Sequence, residues 1–241
     1  MINPIQRIGQ SRWGWALRGL PSWARARALF AARRFTMTTP ERCRHLWDSC
    51  QKVLRSGTPG CFVECGVWKG GSAAVMALAL RQAEPRRRLH LFDSFQGLPE
   101  PHKVDGDTAI TYSHGRSSGA LSSIHRCEAG LPEVRNLLLE QLGFTEQQIH
   151  FHVGWFQNTV PTDVKGLGPI AVLRLDGDWY ESTQVCLKHL YPLLSSGGVV
   201  ILDDYFCWEG CRKATDEYRA THGVTTPIER VDLDAGCWWK T

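Results

Sequence analysis

Four aspartates stand directly after two apolar segments, at positions where strands are expected to end. Asp176 and Asp178 follow "AVLRL", and Asp203 and Asp204 follow "GGVVIL". If the two segments are neighbouring parallel strands, their carboxyl ends place these side chains at the edge of the sheet where ligands bind. Two carboxylates ~4 Å apart repel by about 4 kcal/mol at an effective dielectric constant of ~20, so a convergent group requires protonation or a cation. Carboxylate oxygens favour Mg²⁺, Ca²⁺ or Mn²⁺.

Roles other than metal binding stay open for these aspartates. Asp178 precedes "WYEST" and Asp204 precedes a predicted helix over 209–222, so each is also placed to cap a helix start. Asp203 and Asp204 point to opposite faces of a regular strand and converge only where the chain turns. A D-x-D pair at a strand end also occurs in sugar-nucleotide glycosyltransferases. That hypothesis accounts for Asp176 and Asp178 but not for the glycine-rich segment upstream.

The glycine-rich segment "VECGVWKGGS" follows the first predicted strand and opens a helix. Free N–H groups at a helix start bind a carboxylate or phosphate, and Gly66 would let the backbone approach the ligand. The segment matches neither G-x-G-x-x-G nor a P-loop. Asp93 either caps the loop "DSF" or accepts both hydroxyls of a ribose, and Glu64 is placed to bind an ammonium group. A ligand with a carboxylate, an ammonium and a ribose is S-adenosylmethionine.

Strands and helices alternate along most of the chain. The predicted strands are 61–65, the run ending at Asp93, "QQIHFHVGWF", "GPIAVLRLD", "GGVVILDD" and two closing strands within "TPIERVDLDAGCWWKT". The predicted helices are 38–56, 71–83, 131–142, "YESTQVCLKHLYPLL" and 209–222, and the Gly-, Pro- and Ser-rich residues 97–118 are predicted to form a loop or lid. Apolar strands alternating with helices predict a mostly parallel sheet covered by helices on both faces.

Charge and length limit the function further. The chain has 241 residues, enough for one α/β domain with additions, and a net charge of +4. Residues 1–40 hold seven arginines and no acid, which leaves 21 basic and 24 acidic residues and a net charge of −3 for the rest. This argues against a nucleic-acid-binding body. Residues 1–36 are predicted to form a helical arm on the domain or a partner subunit, with a membrane-surface contact or an anion clamp as alternatives.

The expected cellular compartment is inferred from the targeting signals that the sequence lacks. No apolar run reaches the ~20 residues of a membrane span, and the N-terminus lacks a secretory core, so a cytoplasmic protein is expected. The pairs Cys61/Cys65 and Cys207/Cys211 suggest a zinc site in principle, but buried free thiols are the favoured interpretation. Cys61 and Cys65 alternate along a predicted strand and would share one of its faces.

Seven segments resemble the macrocin O-methyltransferase family, metal-dependent class I methyltransferases that act on deoxysugar hydroxyls of antibiotics. They are "FVECGVWKGGS", "LFDSFQGLPEP", "VGWFQNTVP", "VLRLDGDWYEST", "LYPLLSSGGVVILDDY", "GCRKATDEYRATHG" and "PIERVDLDAGCWWK". The resemblance implies a Rossmann-like class I methyltransferase domain over 58–241 with a mostly parallel seven-stranded sheet and an antiparallel C-terminal strand. A helical arm and lid over 1–57 would precede it.

The resemblance also implies ligands and site residues. S-adenosylmethionine is the implied methyl donor and Mg²⁺ the implied metal. Asp176, Asp203 and Asp204 match the metal ligands, and Asp178 matches the general base. The matched donor-binding residues are Glu64, Gly66, Ser72, Asp93, Ser94, Gly154 and Trp155.

The implied reaction is methylation of a sugar hydroxyl on a glycosylated natural product by a homodimer or larger oligomer. The segment "TYSHGRSSGALSSIHRCEAG" and the arginine-rich arm depart from the family pattern. Both lie where such enzymes contact the acceptor, so the acceptor stays open. A catechol suits a metal site as well as a sugar diol does, and the D-x-D glycosyltransferase is the alternative from another class.

Overall fold

The computed structural model describes residues 23–84 and 86–241 of the chain. The α-helices among these residues are α1 (Trp23–Ala32), α2 (Pro40–Arg55), α3 (Gly71–Ala83), α4 (Gly106–Tyr112), α5 (Leu131–Arg135), α6 (Phe156–Asp163), α7 (Tyr180–Leu190) and α8 (Glu209–Thr221). The strands are β1 (Cys61–Cys65), β2 (Leu89–Asp93), β3 (Ile149–Val153), β4 (Ile170–Leu175), β5 (Leu194–Leu202), β6 (Glu229–Arg230) and β7 (Gly236–Trp239).

The seven strands form one sheet in the order β3-β2-β1-β4-β5-β7-β6. Strands β1 to β5 pair in parallel, and β7 pairs antiparallel with both β5 and β6. The predicted mostly parallel, seven-stranded sheet with an antiparallel C-terminal strand is therefore confirmed. Strand order reverses between β1 and β4, which is the point of such a sheet where a crevice opens for ligands.

Two apolar cores cover the two faces of the sheet. One contains side chains of α1, α2, α3 and α5, and the other contains side chains of α6, α7 and α8. Along β1, Phe62 packs into the first core, whereas Cys61, Val63 and Cys65 pack into the second. The predicted sharing of one strand face by the two cysteines is thus confirmed, and both thiols are free and buried.

The N-terminal helices pack directly on the sheet layer. Helix α2 lies within the predicted range 38–56. It begins at Pro40, and the hydroxyl of the preceding Thr39 caps it by accepting from the Arg42 N–H at 3.1 Å. Ala28 and Leu29 of α1 are fully buried in the same core as Trp47 of α2. The predicted boundary between the N-terminal arm and the domain over 58–241 falls between α2 and β1. Residues 1–22 of the predicted arm lie outside the described residues.

The segment 97–118, predicted to form a loop or lid, contains regular structure that was not predicted. This segment contains a 3₁₀ turn at Lys103–Asp105 followed by α4, and it packs on a third apolar cluster that includes Trp179 and Trp208. The Asp105 carboxylate is buried and accepts from the backbone N–H groups of His102 and Tyr180 at 2.7 and 2.6 Å. Because Tyr180, Trp179 and Trp208 lie far along the chain from this segment, local composition did not reveal the packing.

The predicted helix over 131–142 exists but is not a regular α-helix. Helix α5 continues as a π-helix over Asn136–Gln141, a geometry that is rare and occurs as short insertions in α-helices. Among the described residues, no helix combines the length and apolar character needed to cross a bilayer.

Candidate active site

A deep cavity opens at the carboxyl edge of the sheet, around the reversal of strand order between β1 and β4. It encloses about 1150 Å³ including the solvent at its mouth. One side is formed by the loops after β1 and β2, and the floor by the residues after β4 and β5. The remaining wall comes from the segment between α1 and α2, from the 97–130 region and from the residues just before α8. Its residues are Phe35, Thr36, Met37, Thr38, Gly97, Leu98, Pro99, Cys127, Cys207 and Trp208.

Three of the four predicted carboxylates converge on this floor. Ligand atoms of Asp176, Asp178 and Asp204 all lie within 4.8 Å of one another. Asp178 has φ +56°, the left-handed region that non-glycine residues seldom adopt. Its backbone N–H lies 3.4 Å from Asp204 Oδ2. The chain therefore turns sharply after β4, and this turn brings Asp178 back towards Asp204.

Burial and mutual repulsion shape the ionisation of this cluster. Burial and then the charge of Asp203 raise the pKa of Asp176 to about 6. Burial and the neighbouring carboxylates raise the pKa of Asp178 and of Asp204 well above the usual aspartate range. A bound cation removes this repulsion, and a set made only of carboxylate oxygens has the chemistry that Mg²⁺ selects. Among the described residues, this is the one group of three or more acidic, His or Cys side chains spaced to hold an ion. The residues present fit the implied metal.

Asp203 lies beside the cluster but is held by two arginines. Its Oδ1 accepts from Arg174 Nη2 at 2.6 Å, and its Oδ2 accepts from Arg42 Nη1 at 2.5 Å. Burial by itself would raise the pKa of Asp203, but these two guanidinium groups outweigh it and lower the pKa. The same Arg174 Nη2 donates to Asp176 Oδ2 at 2.9 Å, so Asp176 and Asp203 share one donor.

Glu64 is placed differently from the sequence expectation. Its side chain is fully buried and does not line the cavity. Instead its Oε1 accepts from Arg174 Nη1 at 2.8 Å. The predicted contact of Glu64 with the ammonium group of a methyl donor stays a prediction. Glu64 acts on the site through Arg174, which also contacts the two aspartates on the floor.

Asp93 organises the glycine-rich loop after β1. Its Oδ2 accepts from the N–H groups of Val67 and Trp68 at 2.6 and 3.2 Å, and its Oδ1 accepts from Phe95 N at 2.6 Å. Burial raises the pKa of Asp93, and these three backbone donors oppose the rise. Asp93 therefore caps its own loop, and it still lines the cavity at the end of β2. A carboxylate has about four lone-pair sites, so its backbone bonds leave room for a hydroxyl donor.

Gly66 is required for a reason that the sequence did not reveal. It has φ +88°, and a Cβ there would overlap the backbone oxygen of Asp176. The glycine allows the β1 loop to pass against the end of β4. At the start of α3, Gly71 is equally confined, because its N–H donates to Phe35 O at 2.8 Å. One of the helix-start donors expected for a ligand is thus taken by the segment before α2.

The other residues predicted to bind the methyl donor divide into two groups. Ser72, Ser94 and Trp155 line the cavity on the side of the β1 and β2 loops. Gly154 does not line it; its N–H donates to Asp93 O at 2.9 Å and continues the pairing of β3 with β2. Gly154 therefore positions the adjacent Trp155.

The profile of one protein family, described as Macrocin-O-methyltransferase (TylF), matches residues 25–241. That range holds all the described elements except the first two residues of α1. The chain belongs to the macrocin-O-methyltransferase family. It is accordingly an O-methyltransferase of the S-adenosylmethionine-dependent class, as the resemblance in the sequence implied.

Curated relatives in this family are similar over most of their length. The chain is 37% identical over 210 residues to 8-demethyl-8-(2,3-dimethoxy-alpha-L-rhamnosyl)-tetracenomycin-C 4'-O-methyltransferase of Streptomyces olivaceus, with 85% of this chain and 75% of the relative covered. It is 35% identical over 213 residues to demethyldecarbamoylnovobiocin O-methyltransferase of Streptomyces niveus, with 87% and 77% covered.

Solved structures give the same fold. The O-methyltransferase NovP superposes with a TM-score of 0.75 at 34% identity, with 86% of this chain and 82% of NovP covered. The calicheamicin methyltransferase CalS11 superposes with a TM-score of 0.68 at 20% identity over 99% of this chain and 94% of that one. At that identity CalS11 supports the fold alone.

Two arginines beside the floor of the cavity were not predicted from the sequence. Arg174 interrupts the otherwise apolar run of β4 and is buried. A charged residue inside a buried strand is a usable signal, because such a charge needs a partner. Arg42 had no comparable signal, since its partner Asp203 lies 161 residues further along the chain.

Proposed function

We propose that this protein transfers the methyl group of S-adenosylmethionine to a hydroxyl of a sugar on a glycosylated natural product, in a Mg²⁺-dependent reaction. The observation that carries the proposal is the convergence of Asp176, Asp178 and Asp204 in the cavity that Asp93 and the β1 loop also line. Relatives named as methyltransferases of tetracenomycin, novobiocin and mycinamicin compounds support the acceptor class.

The methyl donor is assigned to the side of the cavity formed by the loops after β1 and β2. Asp93 would accept from the ribose, and Ser72 and Ser94 offer hydroxyls nearby. Trp155 follows the end of β3 and presents an aromatic side chain to the same cavity. The indole fits a planar adenine ring, since aromatic side chains stack on bases.

The metal is assigned to the floor of the cavity. Asp176, Asp203 and Asp204 would hold it, with Asp203 oriented by its two arginines. A carboxylate retains lone pairs after accepting two hydrogen bonds, so these bonds do not prevent Asp203 from acting as a ligand. When bound, a divalent cation lowers the pKa of a hydroxyl and orients it.

Asp178 is assigned the role of general base. Asp178 lines the cavity together with the apolar wall residues Leu98, Cys127 and Trp208. From this position it would accept the proton of the acceptor hydroxyl as the oxygen attacks the methyl carbon. The bond between that carbon and the sulfonium sulfur breaks, and S-adenosylhomocysteine leaves. Most of the acceleration then comes from holding the oxygen and the methyl carbon ~3 Å apart in line. The apolar wall helps by excluding water.

Two measurements test the proposal. S-adenosylhomocysteine should raise the melting temperature of the protein, whereas a nucleotide sugar such as UDP-glucose should not. Methyl transfer should then be screened over glycosylated natural products and simple catechols, with and without excess EDTA. Stabilisation by the nucleotide sugar instead would favour a glycosyltransferase. Transfer that continues unchanged in EDTA would contradict the metal role, and transfer to catechols alone would contradict the sugar acceptor.

We also propose that residues 1–57 form an arm and lid on a methyltransferase domain over 58–241, and that the protein is a cytoplasmic homodimer. The residues of this arm that line the cavity, Phe35 to Thr38 and Arg42, support the lid role. The molar mass in solution, measured by light scattering, tests the dimer, since one chain has a mass of 27.1 kDa. A mass near that of one chain would contradict it.

A further inference from the structure

Arg42 connects the N-terminal helices to the floor of the cavity through three carboxylates. It lies in the first turn of α2, and its side chain is only 10% exposed. Nη1 donates to Asp203 Oδ2 at 2.5 Å, Nε donates to Asp232 Oδ2 at 2.7 Å, and Nη2 donates to Asp234 Oδ2 at 2.7 Å. Every nitrogen of the guanidinium thus meets a different aspartate.

One of the two outer aspartates, Asp232, is itself fixed by hydrogen bonds. Asp232 Oδ1 accepts from the N–H groups of Asp234 and Ala235, both at 2.9 Å. Asp232 Oδ2 also accepts from the Thr39 hydroxyl at 2.8 Å. The turn between β6 and β7 and the start of α2 therefore form one rigid support for the guanidinium group. A planar, five-donor side chain suits such a three-way support, whereas a lysine ammonium is a point charge.

We infer that Arg42 is a positioning residue that fixes the orientation of the Asp203 carboxylate towards the proposed metal. The inference rests on the proposed function. Asp203 accepts from Arg42 on one oxygen and from Arg174 on the other, so its carboxylate plane is defined from both sides. Carboxylate ligands are commonly oriented in this way, and loss of the orienting partner typically lowers metal affinity about 10–100-fold.

A simple charge effect predicts the opposite result. Removing a positive charge next to a cation site should strengthen cation binding, because like charges repel. A lysine at position 42 would keep the charge and lose the three-way geometry. Arg42→Lys and Arg42→Gln together therefore separate orientation from charge.

The test measures metal and donor affinity separately, without any acceptor. Mn²⁺ binding is followed by the loss of the free-ion electron paramagnetic resonance signal, and S-adenosylhomocysteine binding by calorimetry. We expect both Arg42→Lys and Arg42→Gln to weaken Mn²⁺ binding by about 10-fold or more while the affinity for S-adenosylhomocysteine stays within about twofold. Asp203→Asn should weaken Mn²⁺ binding in the same way.

Two further variants distinguish a loss of Asp203 orientation from a general folding defect. Asp232→Asn removes one anchor of Arg42 and leaves Arg42 and Asp203 in place, so it should weaken Mn²⁺ binding less than Arg42→Gln does. Asp48 lies on the same helix as Arg42, and Asp48→Asn breaks its ion pair with Arg25 of α1. This variant should leave Mn²⁺ affinity unchanged.

Three outcomes would overturn the role of Arg42: wild-type Mn²⁺ affinity in Arg42→Lys, tighter Mn²⁺ binding in Arg42→Gln, or a parallel loss of S-adenosylhomocysteine affinity in both. Wild-type protein that binds no Mn²⁺ would instead refute the proposed metal-dependent function, and this inference with it. The two failures are thus distinguishable.

Discussion

Arg174 and Glu64 form an ion pair sealed between β4 and β1. Arg174 Nη1 lies 2.8 Å from Glu64 Oε1, with the two side chains 2% and 0% exposed. Burial raises the pKa of Glu64 to about 7, although Arg174 opposes the rise. The same arginine also reaches Asp176 and Asp203, so it balances the charge of the buried Glu64 and of two further carboxylates.

Replacing Arg174 by methionine should therefore destabilise the protein strongly. The change leaves Glu64 buried without a counter-charge, and breaking a buried ion pair by removing one partner costs about 3–5 kcal/mol. For a chain of this size that corresponds to a fall of roughly 6–20 °C in melting temperature. Calorimetry on Arg174→Met checks this.

The exposed pair of Arg135 and Glu146 provides the control. Its side chains are 42% and 65% exposed, so Arg135→Gln should change stability by less than about 1 kcal/mol. If Arg174→Met melts within about 2 °C of the wild-type protein, the buried pair does not hold β4 against β1.

Gly66→Ala should destabilise the protein far more than an alanine at a glycine of the same backbone conformation. Gly66 has φ +88°, and a Cβ there would overlap the backbone oxygen of Asp176. Gly115 has φ +85° with nothing within 4 Å of an added Cβ. Gly115→Ala should therefore lose only the about 1–2 kcal/mol of the left-handed conformation.

Urea unfolding of both glycine variants measures this difference. Gly66→Ala should lose several kcal/mol more than Gly115→Ala, or fail to fold, because the β1 loop must move away from the end of β4. Equal losses in the two variants would show that the close approach of Gly66 to Asp176 is relaxed at little cost.

The sheet was predictable because each strand carries its own signal. Cys61, Val63 and Cys65 alternate with Phe62 and Glu64, and all five are buried, as expected of a central parallel strand. The packing of the segment 97–118, which follows β2, was not predictable in the same way. Its stability depends on Trp179 and Trp208, and the Trp179 indole donates to Pro99 O, 80 residues earlier, at 3.0 Å.

The site was predictable in its carboxylates and not in their counter-charges. The strand ends indicated Asp176, Asp178 and Asp204, because a parallel sheet collects its carboxyl ends at one edge. The separate environment of Asp203 follows from Arg42, which is 161 residues away in the chain. Pairings of that range are set by tertiary packing, which leaves no periodic trace in the sequence.

Asp178→Asn should slow methyl transfer while both ligands still bind. The amide keeps the size of the side chain but cannot accept a proton as a carboxylate does, and general-base catalysis contributes about 10²–10⁴-fold. We expect a fall in kcat of at least about 10²-fold, with S-adenosylhomocysteine affinity within about twofold. Rapid-quench measurement of the methylation step checks this.

Asp107 supplies the comparison for Asp178. It is an exposed aspartate in the first turn of α4, and Asp107→Asn should leave the rate unchanged. A rate in Asp178→Asn equal to that of Asp107→Asn would remove the general-base assignment. A loss of donor affinity equal to the loss of rate would assign Asp178 to binding instead.

His90 should make the protein less stable in acid. Its ring is buried between β2 and β3, and its Nδ1 lies 3.0 Å from His152 Nε2. Burial, and then the charges of His150, His152 and Arg88, lower the pKa of His90 to about 3. The unfolded chain takes up this proton below pH about 6.5, whereas the folded protein does not do so until pH falls to about 3.

Stability is therefore lost as pH falls from about 6.5 towards 3, because the unfolded state binds more protons in that interval. One such group contributes at most about 1.4 kcal/mol per pH unit. His90→Leu should make the free energy of unfolding, measured in urea from pH 7 to pH 4, less steep by up to that amount. His125→Gln, at a histidine whose side chain is 77% exposed, should leave the slope as it is. An unchanged slope in His90→Leu would mean that another buried group causes the acid sensitivity.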